Sequence, residues 1–316
     1  MKYIILDTET TGIEKDDRII QLAYIVLEDK NKEIFQTFCK PQKEINFQAM
    51  AIHHITPEMI ENSTQLIDTE EYKYLQKINK PENFIIIQNA KFDLDMLEKE
   101  GFENKMKVID TLILAKHLFP NFERHSEQFL RYKLGLYKSE HKILDDFGIK
   151  EIAAHDAIGD ILVLKLLFDY LKNIDNIANE YKKIKNLTNV FDQNRLLLDD
   201  FLKDYPIDNQ FYILSQIPVL IDEFRFGKHR GKLVQEVVRT DRAYINWMIN
   251  KMDNLDDDLL YTLNFYLGKK QQIVIEIPEK INAETKGKET IIIPEKVDTT
   301  YEDDPDVIQP SIFDDL

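Results

Sequence analysis

The chain opens on short apolar runs separated by polar clusters. Residues Tyr3–Leu6, Arg18–Val26 and Glu33–Cys39 are rich in Ile, Tyr, Phe and Val, with turn-like residues between them. That pattern predicts three consecutive strands in a meander. Thr56-Pro57-Glu58 carries the signature of a helix start: a capping hydroxyl, Pro at the first helical position, then an acid. Phe84-Ile85-Ile86-Ile87 is an unbroken apolar run and predicts a buried strand. A helix through Leu94, Met96 and Leu97 follows and stops near Gly101, and Lys107–Asp110 predicts another short strand. Helical spacing covers Thr111–Phe119 and Ser126–Leu134. It is clearest over Ile158–Leu171, where Ile161, Leu162, Leu164 and Phe168 form one apolar side. Strands first, then strands alternating with helices, predict an α/β domain whose mixed β-sheet is flanked by helices.

This first domain is expected over residues 1–172. Residues 173–210 are polar with scattered Leu and Ile and read as a helical connector. A second compact segment, 211–267, holds the only tryptophan, Trp247, and is expected to form a small α+β module with Phe226 and Trp247 anchoring its core. Two similar pieces follow, IVIEIPEK at 273–280 and TIIIPEK at 290–296. Their β-branched content suits a hairpin over 268–297, with Pro278 and Pro294 confined to edges. Residues 298–316 include Asp298, Glu302, Asp303, Asp304, Asp306, Asp314 and Asp315 and no Lys or Arg, which reads as an acidic, disordered tail.

Composition narrows the function classes. With 43% hydrophobic and 31% charged residues the chain reads as globular, and no apolar run is long enough to span a bilayer. The N-terminal apolar stretch is too short for a signal peptide and meets carboxylates at once. A single cysteine, Cys39, excludes an internal disulfide and leads us to expect a cytoplasmic protein. The net charge of −16 argues against a protein that coats nucleic acid through Lys and Arg. It is compatible with an enzyme whose carboxylates hold divalent cations that in turn meet phosphate.

Three segments carry candidate chemistry. In Leu6-Asp7-Thr8-Glu9-Thr10-Thr11-Gly12, two acids at i and i+2 of a strand share one face, about 6–7 Å apart along it. Ending a buried strand, they cost several kcal/mol unless a cation joins them. In Gln88-Asn89-Ala90-Lys91-Phe92-Asp93, the acid opens a helix, where the helix dipole favours it. Capping therefore explains Asp93 as well as catalysis does, and Asp95 lies beside it. In His155-Asp156-Ala157-Ile158-Gly159-Asp160, the five-residue separation places His155 in an entry loop and Asp160 one turn inside the helix.

Together these segments resemble the three motifs of the DEDDh family of 3′→5′ exonucleases: Asp-x-Glu, then Asn-x-x-Phe-Asp, then His-x-Ala-x-x-Asp. All three occur in order within 1–172, and the match selects Asp93 over Asp95. Ala49–Thr56, Ile109–Leu112 and Leu130–Leu136 also look familial, while Gln88 is a departure, standing where many members carry His or another residue before the Asn. The resemblance implies an RNase H-like exonuclease fold and two-metal phosphodiester hydrolysis. Asp7, Glu9, Asp93 and Asp160 would hold two Mg²⁺ or Mn²⁺ ions, and His155 would act as general base. It also implies that Thr10, Thr11 and Asn89 lie against the nucleic acid, and that the substrate is a DNA 3′ end, single-stranded or duplex. An exonuclease of RNA ends, using the same five residues, is the competing enzyme reading. A non-catalytic module on the same fold is the alternative from outside enzymology.

A second resemblance, over Pro218–Met248, is to the C-terminal module of exonuclease X-like proteins. Its Gly227-Lys228-His229-Arg230-Gly231-Lys232 turn is locally basic, and Lys228, Arg230 and Lys232 are candidates for phosphate contact. A solvated turn that merely closes a hairpin explains the same residues. In the tail, Gln309-Pro310-Ser311-Ile312-Phe313 resembles the peptide by which bacterial replication and repair proteins dock on the sliding clamp. Gln309, Ile312 and Phe313 would be its contacts.

Overall fold

The computed structural model describes residues 1–120, 122–150, 156–173, 205–252 and 255–269, with the backbone of 271–277 and 287–293. His155 and the tail residues Gln309, Ile312 and Phe313 lie outside the described residues.

Strands β1 (Tyr3–Thr10), β2 (Ile19–Glu28) and β3 (Asn31–Phe38) form the antiparallel meander. Strands β4 (Phe84–Ile87) and β5 (Lys107–Asp110) extend the sheet in parallel on the other side of β1. The order β3-β2-β1-β4-β5 makes a mixed five-stranded sheet. Its two faces follow the period of two. Ile5, Ile25, Phe84, Ile86 and Ile109 belong to one buried cluster, and Ile4, Leu6, Tyr24, Ile85 and Ile87 to the other. Because both faces are covered, β4 reads as an unbroken apolar run rather than an alternating one.

Helices cover the first face from α4 (Thr111–Leu118), α5 (Glu127–Lys133), α6 (Glu140–Phe147), α7 (Ala157–Lys172) and α8 (Ile207–Leu214). The second is covered by α2 (Glu70–Ile78) and α3 (Ala90–Lys99). A short α1 (Phe47–His53) precedes them. Strand β1 runs past Leu6 to Thr10 because β2 pairs with it throughout, Asp7 opposite Ala23 and Glu9 opposite Gln21. The strand therefore carries its two acids on regular backbone, and the register shifts only after Glu9.

Two expectations are corrected here. Thr56-Pro57-Glu58 does not start a helix. The chain makes successive tight turns, Met59 N–H to Thr56 O and Ser63 N–H to Ile60 O, both at 3.0 Å. Ile60 packs with Ile20, Ile45 and Ile55, and Lys40 N–H ties Thr64 O to the end of the meander. That tether turns the segment before a helix can propagate, and α2 starts later, capped by the Thr69 hydroxyl. Phe211, expected to open the C-terminal module, is instead buried in the first core. Its helix α8 is bonded to the sheet through Tyr3 Oη and Asp208 (2.6 Å), with Lys172 pairing to the same acid.

A second compact unit starts at Leu220. It contains α9 (Val234–Thr240), α10 (Arg242–Lys251) and α11 (Asp257–Tyr266) around Phe224, Val234, Val237, Ile245, Met248, Leu259 and Leu263. Neither Phe226 nor Trp247 is an anchor of this core: they are 40% and 52% exposed. Phe224 faces inward, but the chain does not continue extended: it bends at Phe226 and at Gly227, whose φ is 71°, and Phe226 is left outside the core. Ile245 and Met248, three apart on α10, define its buried side and leave Trp247 off it. Strands β6 (Gln271–Ile277) and β7 (Gly287–Ile293) pair in a separate two-stranded sheet, each ending just before a proline.

Candidate active site

Asp7 and Glu9 project from β1 on the face that α7 covers, and the first turn of α7 supplies Asp160. One carboxylate oxygen from each of Asp7, Glu9 and Asp160 lies within 4.8 Å of the others. Asp93 enters from the first turn of α3 and is almost fully buried. Its Oδ1 accepts from the Thr8 N–H (3.1 Å) and the Thr8 hydroxyl (2.7 Å). Thr8 thus ties α3 to the strand that carries the other two acids.

The electrostatics of this cluster are unrelieved. Burial pushes Asp7 well above the usual carboxylate range, and the charges of Asp93, Asp160, Glu9 and Glu127 add to the shift. Glu9 is pushed up to about 8, by burial first and then by Asp160 and Asp93. Asp93 rises to about 7 through burial, although its bonds from Thr8 oppose the shift. Like charges held together in a partly dry site need a cation. The donors are carboxylate oxygens alone, with no Cys or His in the group, which fits a hard divalent ion. Glu127 strengthens the fit. It is raised by burial and by Asp160, and its Oε1 is buried without a hydrogen-bond partner among the described residues.

Several positioning groups escaped the sequence. Gln128 donates from Nε2 to Asp160 Oδ1 at 3.0 Å, and Arg131 holds Gln128 from behind. Gln21, fully buried on β2, bonds Asp156 at the start of α7 (2.9 Å). Asp110 accepts from the N–H groups of Asn89, Ala90, Leu112 and Ile113, so one carboxylate fixes the starts of both α3 and α4. Asp110 lay in a segment that looked familial, but its double cap depends on β5 running beside β4, which no local pattern reveals. Gln88, the departure from the family pattern, bonds the His125 carbonyl and the Thr111 hydroxyl and does not join the acids.

The expected nucleic-acid contacts divide. Asn89 is exposed, in the left-handed conformation with φ of 64°, at the N-terminus of α3. Thr10 and Thr11 are buried, which corrects the expectation for their side chains. The Thr10 hydroxyl donates to Gly12 O (2.7 Å), and the Thr11 hydroxyl donates to Asp17 (2.6 Å) and accepts from the Arg18 N–H. Both close the loop after β1. In the second unit Arg230 and Lys232 are exposed, whereas Lys228 pairs with Asp241 at 2.7 Å.

Comparison with known proteins follows the same division. The family model described as Exonuclease (RNase T) matches residues 4–168, more than half of the chain. The chain belongs to this exonuclease family. Its mixed sheet and flanking helices are accordingly the RNase H-like exonuclease fold. A second model, Exodeoxyribonuclease X-like C-terminal, matches residues 224–253 of the exonuclease. Among curated relatives, exodeoxyribonuclease 10 of Escherichia coli K12 is 25% identical over 265 residues, covering 83% of this exonuclease and 97% of that protein. The DNA polymerase III subunit epsilon of Buchnera aphidicola is 29% identical over 185 residues, covering 53% and 72%. Among solved structures, exonuclease X in complex with 5′-overhanging duplex DNA aligns at 21% identity with a TM-score of 0.39, covering 56% of this exonuclease and 98% of that chain. No described helix of the exonuclease is long and apolar enough to cross a membrane.

Proposed function

We infer that this exonuclease hydrolyses phosphodiester bonds from DNA 3′ ends and releases nucleotides. The observation that carries the reading is the meeting of Asp7, Glu9 and Asp160 within 4.8 Å, beside buried Asp93. The similarity to an exodeoxyribonuclease and to a polymerase subunit supports DNA as substrate and a role in cytoplasmic repair or replication.

Asp7, Glu9, Asp93 and Asp160 would hold two Mg²⁺ or Mn²⁺ ions. Bound there, such ions would supply Lewis acidity for phosphodiester hydrolysis. The chain's own groups do the rest. His155 accepts the proton of the water, work suited to its reference pKa of about 6.5. Thr8 and Gln128 hold Asp93 and Asp160 in place. Asn89, the backbone at Thr10 and Thr11, and the cations Lys228, Arg230 and Lys232 are the groups we assign to the DNA strand. The tail residues Gln309, Ile312 and Phe313 are assigned to a sliding clamp.

The deciding experiment incubates DNA and RNA oligonucleotides of one sequence, labelled at either end, with Mg²⁺. Stepwise shortening of 5′-labelled DNA, abolished by chelator, is expected. Immediate loss of the 5′ label would reverse the polarity, and faster degradation of RNA would move the substrate to RNA ends.

A further inference from the structure

The exposed aromatic rings of the C-terminal unit have no role in its core. Phe226 and Trp247 stand 40% and 52% exposed, yet the backbone beneath them is tightly fixed. The Tyr244 ring stacks on Trp247 at 5.8 Å between centroids and 24° between planes. Lys228 Nζ sits 4.8 Å from the centre of the Tyr244 ring, and both Lys228 and His229 bond Asp241, at 2.7 and 2.8 Å. Asp241 in turn caps α10 through the Tyr244 N–H. The turn bearing Phe226 is thereby locked to the helix bearing Trp247. Gly227 completes the lock: a Cβ there would lie 2.4 Å from the Tyr244 hydroxyl.

The turn that carries Phe226 is cationic, with Arg225, Lys228, Arg230 and Lys232, in a chain whose net charge is −16. Asp241 is already engaged by Lys228 and His229, so its charge is locally offset. Arg230 and Lys232, on the same turn, are exposed and form no ion pair among the described residues. Exposed aromatic rings on a cationic turn and on the helix fixed to it suit a polyanion with flat apolar groups along it. Nucleobases stack on such rings without regard to sequence, and phosphates meet the cations. Stacking on a protein ring needs an unpaired base, so the surface selects single strands over duplex.

We propose that the C-terminal unit is a platform for unpaired DNA, on which bases stack against Trp247 and Phe226 while phosphates meet Arg230 and Lys232. The platform rests on the reading of DNA as substrate and adds to it a strand preference that the catalytic acids do not encode.

Trp247 is the only tryptophan in the chain, so its fluorescence reports the platform alone. The full chain is titrated in chelator, which prevents hydrolysis, with oligo(dT) and with a duplex of equal length. Binding is followed in parallel by anisotropy of the labelled oligonucleotide. Saturable quenching of the indole by oligo(dT), with little response to duplex, is expected. Trp247→Leu and Phe226→Leu, which keep an apolar side chain on an exposed site, should each weaken oligo(dT) binding by about tenfold or more at every salt concentration. The double variant Arg230→Ala/Lys232→Ala should flatten the log–log salt slope by roughly 1.4, from about 0.7 per phosphate contact. Oligonucleotide binding that leaves the indole unquenched, or equal quenching by duplex, would overturn the platform. Hydrolysis by the unaltered chain with Mg²⁺ is measured separately: an active nuclease whose indole does not respond loses the platform and keeps the nuclease reading.

Discussion

The side-chain amide of Gln128 donates to Oδ1 of Asp160 at 3.0 Å. Its orientation is set from the far end. Arg131 donates to Gln128 Oε1 at 3.0 Å and reaches both oxygens of Glu140, at 2.5 and 2.8 Å. A guanidinium can only donate, so the amide must present oxygen to Arg131 and N–H to Asp160. Removing such support for a ligand typically costs 10–100-fold in metal affinity or activity. Gln128→Leu is therefore expected to raise the Mn²⁺ concentration needed for half-maximal rate by roughly tenfold or more, with much of the rate recovered at saturating metal. A metal titration of hydrolysis checks this, and an unchanged titration curve would make the bond incidental.

Stability should depend on pH in a direction set by the buried acids. Glu9 and Asp93 have folded-state pKa values of about 8 and about 7, raised above their ordinary values of 4.5 and 3.8. A raised carboxylate binds its proton more tightly in the folded state, so its contribution is fully present below about pH 4 and is lost as pH rises through 7 to 8. Without metal the protein should become less stable from pH 5 to pH 8. Mg²⁺ or Mn²⁺ should restore more stability at pH 8 than at pH 5. Asp7→Asn should raise the metal-free melting temperature at pH 8 and diminish the gain from metal. Thermal melts with and without chelator decide it, and metal-free stability that rises over this window would refute the account.

Three acids of the site stood out for a local reason, whereas Asp93 was separable from Asp95 only through the family motif. Asp7 and Glu9 end an apolar strand, and Asp160 interrupts an apolar helix, so each stands out against its own neighbours. Gln128 and Glu127 lie on a short helix where polar residues are ordinary. Their approach to Asp160 depends on α5 packing against α7, which the sequence does not display. Phe226 and Trp247 failed in the opposite sense: hydrophobicity marks a residue for burial, but the bend that follows Phe224 and the helix face at Ile245 and Met248 decide which apolar residues go inside. Thr56-Pro57-Glu58 has correct local chemistry for a helix start and was overridden by the tether between Lys40 and Thr64.

His155 belongs to the family motif and is expected to be the proton acceptor. His155→Ala should slow hydrolysis by roughly 10²–10⁴-fold while changing DNA affinity little. The unaltered enzyme should lose rate as pH falls through the histidine range. Single-turnover rates across pH test both points, and a variant as fast as the parent at neutral pH would make His155 a bystander.

Two glycines of the basic turn separate conformational strain from close packing. Gly227 and Gly231 both adopt positive φ, 71° and 81°. A Cβ on Gly231 meets nothing within 4 Å, whereas one on Gly227 lies 2.4 Å from the Tyr244 hydroxyl. Gly231→Ala should cost about 1–2 kcal/mol, the price of the left-handed region alone. Gly227→Ala should cost more, because Tyr244 must also move off its contacts with Lys228 and Trp247. Hydrogen exchange across 224–253 in the two variants gives the comparison, and equal losses would show that the Tyr244 contact carries no weight.

The tail prediction stands on sequence alone. A peptide with apolar anchors can enter a preformed groove while the enzyme body works elsewhere, and such tethering raises the local concentration of enzyme at primer ends. Gln309 would supply amide hydrogen bonds, and Ile312 and Phe313 the buried anchors. The neighbouring acids Asp306, Asp314 and Asp315 oppose docking on an acidic partner, so the anchors must outweigh that repulsion. A peptide from Asp306 to Leu316 is expected to bind a bacterial sliding clamp at micromolar concentration in a calorimetric titration. Its counterpart with Gln309, Ile312 and Phe313 all changed to Ala is expected not to bind. In the full chain the same three substitutions should leave hydrolysis of free oligonucleotides unaltered and remove any stimulation by clamp loaded on primed DNA. Equal binding by both peptides, or binding by neither, would assign the segment no part in docking.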